Sequence, residues 1–395
     1  MSPKPISLFA RTLRGIEWIA AAEIEQRCGA TITDIRHREI RFQLVELKSE
    51  VLDLGSVDDV FLTCGIIIDV DHTRAALPAL AQRLNSINFV ETITPLRHTR
   101  QIPDKPNFDV VASFLGRRNY NRYEIEDTVA KAIEPRTGWR YTPQRETKSN
   151  RLDLSFRIHL SGQEAIVGVR LTSTPLHRRT YKIESRTGTL HPPLAFAMAM
   201  LSNLSENQKL VDPFCGVGTI LIEALSLQPR LRASGIDIDD DSIRKATSIA
   251  MTAKKDIEFL VGDAGQLPFG DGEVDRVISN PPWGRAVGVE GSFLVDKDSV
   301  FEELKRILTP EAGIVLLLES PAESQMAMER SGLKVLLRTQ VSLFGTWPEI
   351  LVLANADNEF KLFPASRFGR ALAKYWRQWP GIAERTSAQP ETECR

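Results

Sequence analysis

The sequence predicts an α/β protein. Its C-terminal half reads as a doubly wound parallel sheet with an antiparallel edge hairpin, preceded by two smaller α/β units. Three observations carry this. Residues 190–354 alternate short apolar runs with helix-period segments in a regular rhythm. Residues 209–219 read Lys-Leu-Val-Asp-Pro-Phe-Cys-Gly-Val-Gly-Thr, an apolar strand entering an acidic, Gly-rich turn. Residues 278–284, Ile-Ser-Asn-Pro-Pro-Trp-Gly, end another apolar strand in an amide, two prolines and an aromatic.

The elements follow in order. In a first domain, residues 1–88, Phe9 and Leu13 flank a strand, and 15–28 has helical spacing. Strands near 31–36 and 40–45, a buried strand over 60–70 and a helix over 74–87 complete it. In a second, residues 89–172, Asp109–Leu115 is a strand and Gly116–Arg122 a basic turn. A helix over Tyr123–Ile133 is stopped by Pro135. Leu152–Leu160 and Ala165–Leu171 form a hairpin through Ser161-Gly162. Residues 173–189 are a polar linker. In the domain 190–354, strands lie near 209–212, 233–238, 257–262, 274–279, 313–319, 334–341 and 347–354. Helices lie near 192–204, 218–227, 240–254, 299–308 and 321–331, and the turn at 344–346 joins the last two strands. Residues 355–395 are a tail, basic and aromatic at first, with a disordered end.

Composition bounds the function classes. At 395 residues, with 42% hydrophobic and 26% charged content, the chain supports several globular cores. No apolar run approaches a membrane span, and the N-terminus lacks a signal pattern, so a soluble cytoplasmic protein is expected. Cys28, Cys64, Cys215 and Cys394 are scattered, which suits a reducing compartment and no metal. His98, His159 and His191 also lack metal-ligand spacing. Net charge is −1, but residues 97–188 hold 18 Lys and Arg against 10 Asp and Glu. That local excess points to a polyanion site.

The Gly-rich turn and the strand ends around it form one constellation. Gly216 and Gly218 let backbone N–H groups approach a ligand at a helix N-terminus. No Gly-Lys-Ser/Thr follows, which argues against a P-loop. Asp237 ends the second strand, where a carboxylate accepts from ribose hydroxyls, and Ile238 beside it suits packing on adenine. Asp263 ends the third, placed to accept from an adenine amino group. Each acid alone could merely cap a helix; three at successive strand ends point to a nucleoside cofactor.

Asn280-Pro281-Pro282-Trp283 ends the fourth strand. An amine conjugated to a base is a poor nucleophile because its lone pair is delocalised. Acceptors at its two hydrogens, the Asn280 side-chain oxygen and the Pro281 carbonyl, favour its pyramidalisation. The prolines stiffen the turn, and Trp283 offers a stacking face for a base taken out of its helix. Together the two motifs imply S-adenosylmethionine-dependent methylation of an exocyclic nitrogen.

On these motifs the C-terminal half resembles the Rossmann-fold methyltransferases that act on exocyclic amines. With the segment 90–172 and the linker Leu176-His-Arg-Arg-Thr-Tyr-Lys182, the chain is similar to the THUMP-containing tRNA (guanine-N2)-methyltransferases. The resemblance implies a ferredoxin-like N-terminal domain, a THUMP domain and a methyltransferase domain. It implies N2-methylation of a guanine in tRNA, at position 6 of the acceptor stem, with the THUMP domain gripping the 3′ CCA end. The cofactor role falls on Asp212, Gly216, Gly218, Asp237 and Asp263, with Phe214, Thr219, Ile238, Ala264 and Asn280 beside them. The catalytic role falls on Asn280, Pro281, Pro282 and Trp283. Many relatives carry Tyr where Trp283 stands, so the tetrapeptide does not choose guanine over adenine. A ribosomal RNA guanine, a DNA adenine, or a non-catalytic RNA-binding subunit stay open as alternatives.

For RNA, the candidates are Arg117, Arg118, Tyr120 and Arg122 at the strand-to-helix turn, where guanidinium groups suit phosphate and the tyrosine could stack. Arg178, Arg179 and Lys182 of the linker and Arg285 after the catalytic turn extend the set. A monomer is expected, and a small activating protein partner is allowed.

Overall fold

The computed structural model describes residues 5–146, 152–181, 189–283, 291–356, 360–387 and 393–394. Two compact units emerge. One draws on residues 1–12, 23–176 and 377–395, the other on 13–22 and 177–376.

The first unit is built on one mixed sheet. Its elements are β1 (Ile6–Arg11), the second half of α1 (Glu17–Cys28), β2 (Thr31–Arg36), β3 (Glu39–Leu44), β4 (Asp59–Ile67) and α2 (Ala76–Leu84). The short turns α3 (Phe89–Thr92) and α4 (Thr94–Arg97) lead to β5 (Asn107–Leu115), α5 (Arg122–Thr137), β6 (Arg140–Tyr141), β7 (Leu154–Ser161) and β8 (Glu164–Arg170). Strand order runs β5-β7-β8-β4-β1-β3-β2, so strands from both N-terminal segments share one sheet. Phe9 and Phe61 stack across it at 5.0 Å, and Phe89, Phe108 and Trp139 pack around Phe156.

Three expectations change here. Pro135 does not stop α5, which runs to Thr137. It forfeits a single N–H close to the helix end, and Gly138 closes the helix by donating to Glu134 O at 2.9 Å. The strand over 60–70 is not buried throughout: it ends at Ile67, and Ile66 and Ile68 face solvent. The tail contains a 21-residue helix, introduced below.

In the second unit, α6 (Pro192–Leu201) is buried on every side, as its continuous apolar sequence requires. Then come β9 (Lys209–Asp212), α7 (Thr219–Leu227), β10 (Arg232–Asp237), α8 (Asp240–Thr252), β11 (Ile257–Val261) and β12 (Val274–Ser279). α9 (Ser292–Val295), α10 (Lys297–Ile307), β13 (Leu308–Leu318), α11 (Pro321–Arg330), β14 (Leu333–Gln340) and β15 (Glu349–Asn355) complete the sheet. Strand order is β11-β10-β9-β12-β13-β15-β14. The first five strands are parallel, and β15 and β14 close one edge antiparallel, as the sequence predicts. Strand order reverses between β9 and β12, so ligands are expected beyond the carboxyl ends of those strands. The helix α12 (Arg367–Ser387) buries Ala371, Leu372, Tyr375 and Trp379. β16 (Glu393–Cys394) adds to the outer edge of β5 in the first sheet. Among the described residues, no helix is long and apolar enough to cross a membrane.

Candidate active site

Two turns leave the sheet at its reversal point, one after β9 and one after β12. A single carboxylate joins them. Asp212 Oδ1 accepts from Phe214 N–H at 3.1 Å in the first turn and from Ser279 Oγ at 2.5 Å at the root of the second. Ser279 is a site residue that the sequence reading missed. Its signal was a lone hydroxyl at the end of the apolar strand Val-Asp-Arg-Val-Ile-Ser.

Around this bridge the predicted cofactor residues come together. Gly218 caps α7 at φ +80°, and a Cβ there would lie 3.0 Å from the Phe259 ring, so conformation and packing both demand glycine. Gly216 has φ +52° and open space where a side chain would point. Thr219 begins the buried helix behind it. Asp237 at the end of β10 accepts from Gly216 N–H at 2.8 Å and Asp239 N–H at 2.9 Å, which locks the turn. Ile238 next to it is 46% exposed. Asp263, after β11, accepts from Gly265 N–H at 2.7 Å and from Ser292 N–H at 3.1 Å. Partial burial raises its carboxyl, but those hydrogen bonds outweigh burial and hold it below the usual range. Ala264 is buried, and Phe214 meets Phe293 edge-on at 5.3 Å.

The second turn holds Asn280 half-buried, Pro281 buried, and Pro282 and Trp283 half-buried. Asn280 Oδ1, Trp283 Nε1 and Asp212 Oδ2 are buried without a hydrogen-bond partner among the described residues. Such buried polar atoms are costly unless a ligand satisfies them. Two acceptors and one donor, with an exposed apolar side chain and an open glycine cradle, fit a nucleoside cofactor and an aromatic amine. Among the described residues, no His, Cys, Asp and Glu group could hold a metal.

Burial pushes the Asp212 carboxyl up to about 7, with the Asp237 charge adding to it. Between the ordinary value and about 7 the native state keeps a proton that the unfolded chain has lost. Stability therefore falls as pH rises through that window, by up to roughly 4 kcal/mol. Urea unfolding at pH 5 and pH 7.5 is expected to show a smaller drop for Asp212→Asn than for the natural protein. Burial likewise raises the Cys215 thiol, which suits packing and not nucleophilic chemistry.

The RNA candidates fare differently. Tyr120 is 3% exposed and its hydroxyl donates to Asp71 O at 2.8 Å, so it offers no stacking face. Arg118 turns inward too, donating to Tyr120 Oη at 2.7 Å and Gly162 O at 2.5 Å. Arg117 is exposed. Arg122 lies over the neighbouring ring of Tyr123, 4.8 Å from its centroid, and that ring is the exposed one. Arg178 is exposed. Arg179 is engaged within the protein: its Nε and Nη2 donate to the two oxygens of Glu223 of α7, at 2.9 and 3.1 Å, and Tyr181 Oη donates to the same carboxylate at 2.5 Å. Lys182 and Arg285 lie outside the described residues. His159 is buried with Nδ1 2.7 Å from Ser113 Oγ, and burial depresses its basicity.

Comparison with known proteins bears on the fold and the family. Residues 179–349 match the family model described as UPF0020, RMKL-like, methyltransferase domain. A tRNA (guanine(6)-N2)-methyltransferase from Thermus thermophilus is 33% identical over 250 residues, covering 62% of this chain and 72% of the relative. The mouse U6 snRNA (guanine-N(2))-methyltransferase THUMPD2 is 30% identical over 204 residues, 51% of this chain and 36% of that protein. Among solved structures, TrmN from Thermus thermophilus superposes with TM-score 0.70 at 26% identity, over 89% of this chain and 99% of that one. Fold and similarity converge: the chain belongs to the tRNA (guanine-N2)-methyltransferase family, a group of S-adenosylmethionine-dependent enzymes.

Proposed function

We propose that this protein methylates the exocyclic N2 of a guanine in tRNA, at position 6 of the acceptor stem. The observation that carries the reading is the buried, unpartnered Asn280 Oδ1 at the head of the Asn-Pro-Pro-Trp turn. The relatives described above act on guanine N2 in two RNA classes, which supports that atom as the target.

Asp212, Gly216, Gly218, Asp237, Ile238 and Asp263 would hold S-adenosylmethionine, which supplies an electrophilic methyl group when bound. Asn280 Oδ1 and the Pro281 carbonyl accept the two N2 hydrogens and bias the nitrogen toward a tetrahedral shape. An amide oxygen holds a proton without removing it, so N2 deprotonates to solvent afterwards. Trp283 stacks on the extruded base. The Asp212–Ser279 hydrogen bond keeps the cofactor turn and the catalytic turn in one register.

The segment 89–172 is proposed as the THUMP domain that grips the 3′ CCA end, with its Arg117 and Arg122, and Arg178 of the linker, contacting RNA phosphates. The enzyme would act as a cytoplasmic monomer, with or without a small activating partner. Unmodified tRNA incubated with the protein and labelled S-adenosylmethionine, then digested to nucleosides for mass spectrometry, is expected to yield N2-methylguanosine. Methyladenosine as the labelled product would overturn the assignment; label in ribosomal RNA but not tRNA would overturn the substrate.

A further inference from the structure

The hairpin between β14 and β15 has no part in the chemistry above. Leu343 and Thr346 close it with two reciprocal backbone hydrogen bonds of 3.0 and 2.9 Å, leaving Phe344 and Gly345 as its central residues. Both have positive φ, +51° and +82°. This turn favours Asn, Asp or Gly at its first position, because a bulky side chain there is strained. The other described non-glycine residues at positive φ are Arg38, Asp69, Asn203, Asn207 and Lys254, all polar. Phe344 is apolar and 77% exposed, so neither local hydrogen bonding nor burial offsets its strain.

Its place in the sheet supplies a reason. Ser279 pairs with Leu316, Leu318 with Glu349, and Glu349 with Gln340. The catalytic turn and the hairpin tip therefore leave the sheet at the same end, beyond the carboxyl ends of the parallel strands. At about 4.8 Å per strand, β15 and β14 lie roughly 10 and 14 Å from β12, a span of about three or four base steps. The tip is also braced. Ser342 N–H donates to Arg14 O at 2.9 Å, and the Arg14 guanidinium lies 4.8 Å over the Trp347 ring. Gly15, at φ +103°, sits so close that a Cβ would come within 2.0 Å of Gln340 O.

We propose that Phe344 is a wedge for a base-paired RNA stem. Its ring stacks on a base of the stem within a few steps of the target guanine and holds the stem open while that guanine turns out toward Trp283. This rests on the RNA guanine-N2 reading above and adds a residue that the chemistry itself does not need.

The test compares two RNA hairpins, one with the target guanine paired and one with an abasic site opposite it. Phe344→Asn puts a favoured residue in the turn, so its Tm should equal or exceed that of the natural protein. On the paired hairpin its kcat/KM is expected to fall about tenfold or more. On the opened hairpin it should stay within about twofold, and Phe344→Trp should retain activity on both. Equal activity of Phe344→Asn and the natural protein on the paired hairpin, or an equal loss on both hairpins, would overturn the wedge. A natural protein that methylates neither hairpin would instead count against the guanine-N2 reading.

Discussion

Replacing Asn280 with alanine is expected to lower kcat by about two to three orders of magnitude, the usual effect of removing one preorganised polar group from a reacting centre. The change deletes the side-chain amide with its buried acceptor Oδ1, an atom with no hydrogen-bond partner to lose among the described residues. Folding stability should therefore hold or rise slightly. Cofactor affinity should change far less than kcat, since the carboxylates of Asp212, Asp237 and Asp263 remain. Single-turnover methylation beside calorimetric cofactor titration separates the two effects. A loss of cofactor binding as large as the loss of rate would make Asn280 a cofactor residue and not a catalytic one.

Arg179→Ala is expected to destabilise the second unit by about 3–5 kcal/mol. Glu223 is 2% exposed, and Arg179 forms a salt bridge with it. Removing the arginine strands a buried carboxylate that still accepts from Tyr181 Oη. Tyr181 also packs in one buried cluster with Val217, which lies between the two glycines of the cofactor turn. Loosening the linker should thus weaken cofactor binding from behind. Denaturant unfolding measures the loss, and Glu223→Gln in the Arg179→Ala background should recover much of it by removing the stranded charge. A residue that merely touched RNA would behave otherwise: its alanine variant would unfold normally and show a shallower salt dependence of RNA binding.

That contrast marks where sequence reasoning reached its limit. The linker run Leu-His-Arg-Arg-Thr-Tyr-Lys is basic, and basicity does not distinguish a phosphate contact from an internal ion pair 44 residues distant. Arg118 and Tyr120 failed for the same reason, since nothing local shows that the turn folds back on Asp71 and Gly162. The catalytic unit was legible because its signals are local. Apolar runs of strand length, a glycine pair at a helix start and acids at strand ends each specify geometry within a few residues. The helix α12 had such a signal in Ala371, Leu372, Tyr375 and Trp379, but the surrounding Arg, Lys and Trp residues masked the stripe. Ser279 and Phe344 were hidden differently: each matters through register with another strand, which one strand's sequence does not carry.

The central claim is that the methylated atom is the exocyclic N2 of guanine. Replacing the target guanine by inosine removes that amine and leaves the rest of the base in place. The decisive measurement is methyl transfer from labelled cofactor to two tRNA transcripts that differ only in this substitution. Label in N2-methylguanosine from the guanine transcript, with none from the inosine transcript, is the result predicted here. Equal labelling of the two would place the methyl group on another atom and contradict the role given to Asn280.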